Sequence, residues 1–249
     1  MGNLSHRFFE LLFQEDITTM DRDDVAKWID TTAPELLKKE GAVLLMYGRE
    51  PEKISFLNKV KYAAWSLVEM IQQNGWRVKG TELGLGGKFV NIGIRGKADL
   101  VLERNDEIAV IDLKWKGANW RQKLIKNEDD LQLVMYSRLL SEQDNWAHTA
   151  YFILENGKMI SRNNQAFKQA ISVSPDQDFQ EVNQRIWEKM IRTYQWRLEQ
   201  LANGLVEVRT SQTAGELAEE YGAELMELLE MHEEDAHFDD YRTLINVEV

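Results

Sequence analysis

Apolar and polar positions follow two periodicities along this chain, and the change between them separates helical regions from strand regions. Residues 7–14 carry Phe8, Phe9, Leu11, Leu12 and Phe13, apolar nearly all round. That predicts a helix buried on most sides, with Asn3 or Ser5 as its cap. Residues 21–31 and 34–46 read as two short helices, with Asp and Thr near their starts. Residues 51–74 form a longer one, with Ile54, Leu57, Val60, Ala64, Leu67, Val68 and Ile71 on one stripe and Gly75 as its stop. Strand character begins at residues 76–85, turns within the glycines of residues 84–87 and returns through residues 89–94. Residues 115–127 read as a loop, 128–141 as a helix, 149–154 and 158–161 as strands, and 178–203 as a long helix. A last acidic helix is expected at residues 214–232.

The centre of the pattern is a pair of strands, residues 98–103 and 107–114, joined by Asn105 and Asp106. A two-residue hairpin turn there places Asp99 directly opposite Asp112. Side chains alternate along a strand, so Asp99, Asp112 and Lys114 share one face with Val101, Ile108 and Val110. Leu100, Leu102, Ala109, Ile111 and Leu113 occupy the other. Strands apolar on both faces belong inside a sheet covered by helices. Two carboxylates facing each other in such a sheet repel, and a divalent cation between them removes the objection. The arrangement therefore points to metal chemistry.

Composition narrows the choice. With no cysteine, the chain has no disulfide, no thiolate zinc site, no cysteine-ligated iron–sulfur cluster and no cysteine nucleophile, which fits a cytoplasmic location. No apolar run reaches membrane-spanning length. A net charge of −12 argues against indiscriminate coating of nucleic acid, but leaves room for a local basic track. Lys116, Arg121, Lys123 and Lys126, interleaved with Trp115 and Trp120, make such a track, suited to a single-stranded or frayed DNA end. Trp65, Trp187 and Trp196 read as core. Glu82 lies on the strand before the hairpin and reads as solvated.

Three groups of residues, Gly96-Lys97-Ala98-Asp99, Ile111-Asp112-Leu113-Lys114 and Gln132-x-x-x-Tyr136, resemble the core motifs of the PD-(D/E)xK nuclease superfamily. Gly2-Asn3-Leu4-Ser5-His6 is similar to the helix that precedes that core in RecB/AddB-like nuclease domains of helicase–nucleases. The resemblance implies an α/β, restriction-endonuclease-like fold, a central mixed sheet flanked by helices. It implies a Mg²⁺- or Mn²⁺-dependent deoxyribonuclease, an exonuclease of repair or recombination that acts beside a helicase domain or subunit. Asp99, Asp112, the Leu113 carbonyl and His6 would hold the metal. Lys114 would hold the attacking water or stabilise charge on the phosphate, and Gln132 and Tyr136 would position the motif residues and the DNA backbone. Lys114, a cation beside two carboxylates, suits an electrostatic role better than that of a neutral base.

On this reading the chain is one nuclease domain excised from a longer protein. Its core is residues 1–15 and 50–202, with a helical insertion at residues 16–49 and a helical extension at residues 203–249. Relatives often hold an iron–sulfur cluster where residues 237–245 lie, and the lack of cysteine rules that out here. The alternatives are a catalytically silent DNA-binding or scaffolding module, a hydrolase of small phosphoesters, and a defence nuclease of restriction or CRISPR type.

Overall fold

The computed structural model describes residues 1–141 and 145–204, together with Glu219 and Gly222. The expected acidic helix and the tail at residues 237–245 fall, those two residues apart, outside the described part. Met1–Ile186 forms one compact unit and Trp187–Val249 a second. The sheet and the helices that flank it belong to the first.

Helix α1, Gly2–Leu12, starts earlier than expected, with Met1 at the cap position and no side-chain cap. Ser5 donates its hydroxyl to the Gly2 carbonyl at 2.7 Å instead of capping, so His6 falls in the second turn. Phe8, Phe9 and Leu12 are buried, each contributing roughly 1.5–3 kcal/mol by leaving water. That burial fixes the helix that carries His6.

The two expected short helices are one. Helix α2, Arg22–Glu40, opens with a reciprocal cap in which Asp21 accepts from the Asp23 and Asp24 N–H groups while Asp24 accepts from the Asp21 N–H. Pro34 lies inside it and removes the N–H that would bond Asp30. Both residues are exposed, so water can satisfy the freed carbonyl and the helix continues. After Gly41 a 3-10 turn, Ala42–Leu45, leads toward helix α3, Glu50–Gln73. The buried stripe of α3 begins at Phe56; Ile54, expected on it, is 51% exposed. Gly75 follows with φ +70, as its stop role requires.

Among the described residues the sheet has six strands in sequential order. They are β1 Arg77–Phe89, β2 Ile92–Arg104, β3 Glu107–Lys114, β4 His148–Ile153, β5 Lys158–Ser161 and β6 Ile171–Ser172. Pairs β1/β2, β2/β3 and β4/β5 are antiparallel, while β3/β4 and β5/β6 are parallel, so the sheet is mixed. The β1–β2 turn is not at the glycines. Phe89 pairs with Ile92, which puts Val90 and Asn91 in the turn, with Val90 at φ +53. Gly87 serves packing instead, since a Cβ there would lie 2.5 Å from Leu139, and on β2 a Cβ on Gly96 would lie 3.2 Å from the Tyr136 ring. The β2–β3 turn is where expected, with Arg104 paired to Glu107 and Asn105 at φ +53.

Residues expected to form a loop after β3 contain helix α4, Ala118–Lys126, and helix α5, Leu131–Leu140, follows. These two helices make the parallel crossover from β3 to β4. Leu100, Leu102, Ala109, Ile111 and Leu113 join Ala150 and Phe152 in a core with α1, α2 and α3. On the other face Val101 and Val110 pack near Tyr136 and Leu139, while Tyr151, Ile153 and Ile160 pack under Ala118, Ile125 and Leu133. Helix α6, Phe179–Ala202, begins in this unit.

Candidate functional site

The register of three strands lines up three acidic residues. Thr81 pairs with Leu100 and Leu83 with Ala98, so Glu82 on β1 stands across from Asp99 on β2. The β2/β3 ladder ends at Leu100 and Ile111, and one step further Asp99 faces Asp112 on β3. There the Asp99 carboxylate accepts the Leu113 N–H at 2.7 Å. The N–H and carbonyl of a strand residue point to the same side, so the Leu113 carbonyl also faces β2.

His6 reaches this row from α1, with Nδ1 3.8 Å from Asp99 Oδ2. One ligand atom each from His6, Glu82 and Asp99 lie within 4.8 Å of one another. The structure thus brings His6 and Asp99 together as expected and adds Glu82, which the sequence had suggested was solvated. It leaves Asp112 outside that cluster. Glu82 also holds φ +47 inside a strand, a left-handed conformation uncommon for a side chain of its size and frequent at functional positions.

Asp112 is buried, 2% exposed, and its Oδ2 lies 2.6 Å from Lys114 Nζ. Among the described residues that ammonium is the one partner shown for Oδ2. Burial pushes the Asp99 carboxyl up from its ordinary value, and the Asp112 charge pushes it the same way. The Leu113 N–H, His6 and Lys114 pull against that rise. Two carboxylates and an imidazole converging beside a third, buried carboxylate fit a divalent cation that prefers oxygen.

Gln132 and Tyr136 lie one turn apart on α5, and the Gln132 Nε2 donates to the Tyr136 hydroxyl at 3.0 Å. The Tyr136 ring rests on Gly96, three residues before Asp99. Helix α5 is itself held by a buried ion pair. Arg162 donates to both Asp130 carboxylate oxygens at 2.8 and 2.9 Å, and to the Ile125 carbonyl at the end of α4 at 3.2 Å. Asp130 occupies the cap position of α5 but commits its carboxylate to Arg162.

The basic track is helical. Trp120 is 55% exposed with Lys123 Nζ 5.9 Å from its ring centroid, and Lys116 and Lys126 are exposed. Arg121 turns inward onto Tyr151, its guanidinium 5.2 Å from the ring centroid. Trp115, expected beside the track, packs on Phe56 at 5.5 Å, with Lys59 Nζ 6.0 Å from its ring centroid. Tyr151 is the direct neighbour of Asp112 in the β3/β4 register, and no motif in the sequence marks it. Its burial, with Asp130 and Asp112 nearby, holds the phenol well above its usual range.

Among the described residues no helix is long and apolar enough to cross a membrane. No curated protein matches the chain. The sequence model of the PD-(D/E)XK nuclease superfamily matches residues 1–216, most of the chain and all of the acidic row, and the protein belongs to that superfamily.

Proposed function

We propose that the protein is a Mg²⁺- or Mn²⁺-dependent deoxyribonuclease whose reaction centre is the row Glu82, Asp99 and Asp112 with His6 and Lys114. The observation that carries this is the convergence of His6, Glu82 and Asp99 within 4.8 Å, next to the buried Asp112–Lys114 pair. His6, Glu82 and Asp99 are the side chains that would hold the ion, with Asp112 and the Leu113 carbonyl at its border. An imidazole among carboxylates favours Mn²⁺ over Mg²⁺ in affinity. When bound, the ion would polarise a phosphate oxygen and lower the pKa of water at its open position.

The chain's own residues supply the rest. Lys114, half-buried and tethered to Asp112, places an ammonium where the extra negative charge of the phosphate develops. Asp99, fixed by the Leu113 N–H, cannot rotate away from His6 without losing that bond. Tyr136 and Gln132 brace the β2 backbone ahead of Asp99. The exposed face of α4, with Trp120, Lys123 and Lys126, and Lys116 just before it, offers charge and a stacking surface to a single strand, local to an otherwise acidic chain. Hydrolysis from DNA ends in repair or recombination, as the nuclease part of a RecB/AddB-like helicase–nuclease, is the reading that the similarity of residues 2–6 supports.

The test is degradation of end-labelled single-stranded, duplex and circular DNA with Mg²⁺, with Mn²⁺ and with chelator. Metal-dependent loss of linear DNA with circular DNA spared is expected. Cleavage of circles would replace the exonuclease reading by an endonuclease one, and no metal-dependent cleavage of any substrate would end the nuclease reading.

A further inference from the structure

Two arginines near Arg121, Arg162 and Arg185, each pair with a carboxylate of the α4–α5 connection, Asp130 and Glu128. Among the described residues Arg121 makes no ion pair, and its Nε is buried without a hydrogen-bond partner. The residue as a whole is only half-buried, and a guanidinium with no carboxylate partner is free to take an anionic acceptor through its terminal nitrogens. Its place says which kind. Helix α4 begins four residues after Lys114, and Ala118 and Ile125 pack with Tyr151 on the face of the sheet that also carries Asp112. The guanidinium lies over the Tyr151 ring, and Tyr151 is the β4 partner of Asp112. Adjacent strands are about 4.8 Å apart, so Tyr151 continues the acidic row by one strand, away from His6 and Glu82.

We infer that Arg121 is a phosphate anchor: it holds a DNA phosphate next to the one being hydrolysed, on the β4 side of the Asp112–Lys114 pair. This rests on the nuclease reading and gives it a strand path, from the exposed Trp120 face of α4, past Arg121, to Lys114. The Tyr151 ring lies beneath the guanidinium, and a planar fork donates two parallel hydrogen bonds to a phosphate in a way an ammonium cannot. Arg121 thus sets which linkage is presented to the metal cluster, as a positioning residue.

The experiment uses the full chain with Mn²⁺ and short end-labelled oligonucleotides in which one linkage at a time is a neutral methylphosphonate. Wild-type cleavage of the unmodified oligonucleotide is the control, and its absence would count against the nuclease reading itself. Given that activity, Arg121→Gln is expected to lower kcat/KM about 10- to 100-fold, with a thermal midpoint near that of the wild type. Arg121→Lys is expected to recover only part of the loss. One neutral linkage beside the scissile bond is expected to slow the wild type by a similar factor and Arg121→Gln hardly at all, because the same contact has already been removed. If every neutral linkage slows Arg121→Gln by the same factor as the wild type, the anchor is refuted. Full activity in Arg121→Gln refutes it as well.

Discussion

Glu82 shows at the residue scale what register contributes to a site. Asp99 and Asp112 could be matched from the sequence because Asn105 and Asp106 mark their turn correctly. Glu82 stands in the same relation to Asp99 across the previous turn, and folding the chain at Val90 and Asn91 would have found it. The glycines at residues 84–87 drew the turn to themselves, since glycine is the usual sign of one. Of these, Gly87 leaves room for Leu139, which lies far along the chain and is invisible to local pattern. If Glu82 is a ligand, Glu82→Gln should weaken Mn²⁺ binding about tenfold or more in calorimetric titration. Unchanged Mn²⁺ affinity would remove Glu82 from the ligand set and leave its left-handed backbone without a functional account.

At the scale of elements, the helices and strands that pattern alone defines came through, and those decided by tertiary context did not. α3 and its glycine stop, the β2–β3 hairpin and β5 follow from periodicity and turn residues. Helix α4 was hidden because its buried side is short, Ala118 and Ile125 with Arg121, and the remainder mixes Lys123 and Lys126 with Asn119 and Gln122. Pro34 suggested a break that an exposed position did not require. Helix α5 came where the pattern put it, but the buried Asp130–Arg162 pair at its start is a contact no sequence window contains. Asp130→Ala should cost about 3–5 kcal/mol by stranding the arginine, whereas Asp130→Leu with Arg162→Met should restore most of the loss. Thermal unfolding reads both, at roughly 2–4 °C per kcal/mol. An Asp130→Ala midpoint equal to the wild type would show that α5 is held by its apolar face alone.

A second element-scale prediction concerns pH. His148 at the start of β4 stacks on Phe179 at 4.6 Å and touches Glu107 at 3.3 Å. Burial lowers its pKa, Glu107 opposes that, and Arg104 adds to it. The unfolded chain therefore binds this proton more readily than the folded one. The stability from neutral His148 is complete above its unfolded pKa of about 6.5 and is lost as pH falls below it. His148→Gln should flatten the stability profile between about pH 7 and pH 5, measured by urea unfolding. A variant whose profile keeps the wild-type slope would move the acid sensitivity to other groups.

For the whole molecule, one sheet row connects layer, charge and chemistry. Helix α1 delivers His6 from one layer, while α4 and α5 bring Arg121, Gln132 and Tyr136 from the other, and β1 to β4 set the order of Glu82, Asp99, Asp112 and Tyr151 between them. On the proposed reading, a chain of net charge −12 would draw DNA to the local α4 track. The central claim is that this row is where DNA is hydrolysed. Single-turnover hydrolysis of end-labelled DNA, comparing the wild type with Asp112→Asn in Mn²⁺ and in chelator, tests it most directly. Hydrolysis by the wild type only with Mn²⁺, and a loss of about 100-fold or more in Asp112→Asn at an unchanged thermal midpoint, is the predicted result. A variant that hydrolyses DNA as fast as the wild type would contradict the assignment.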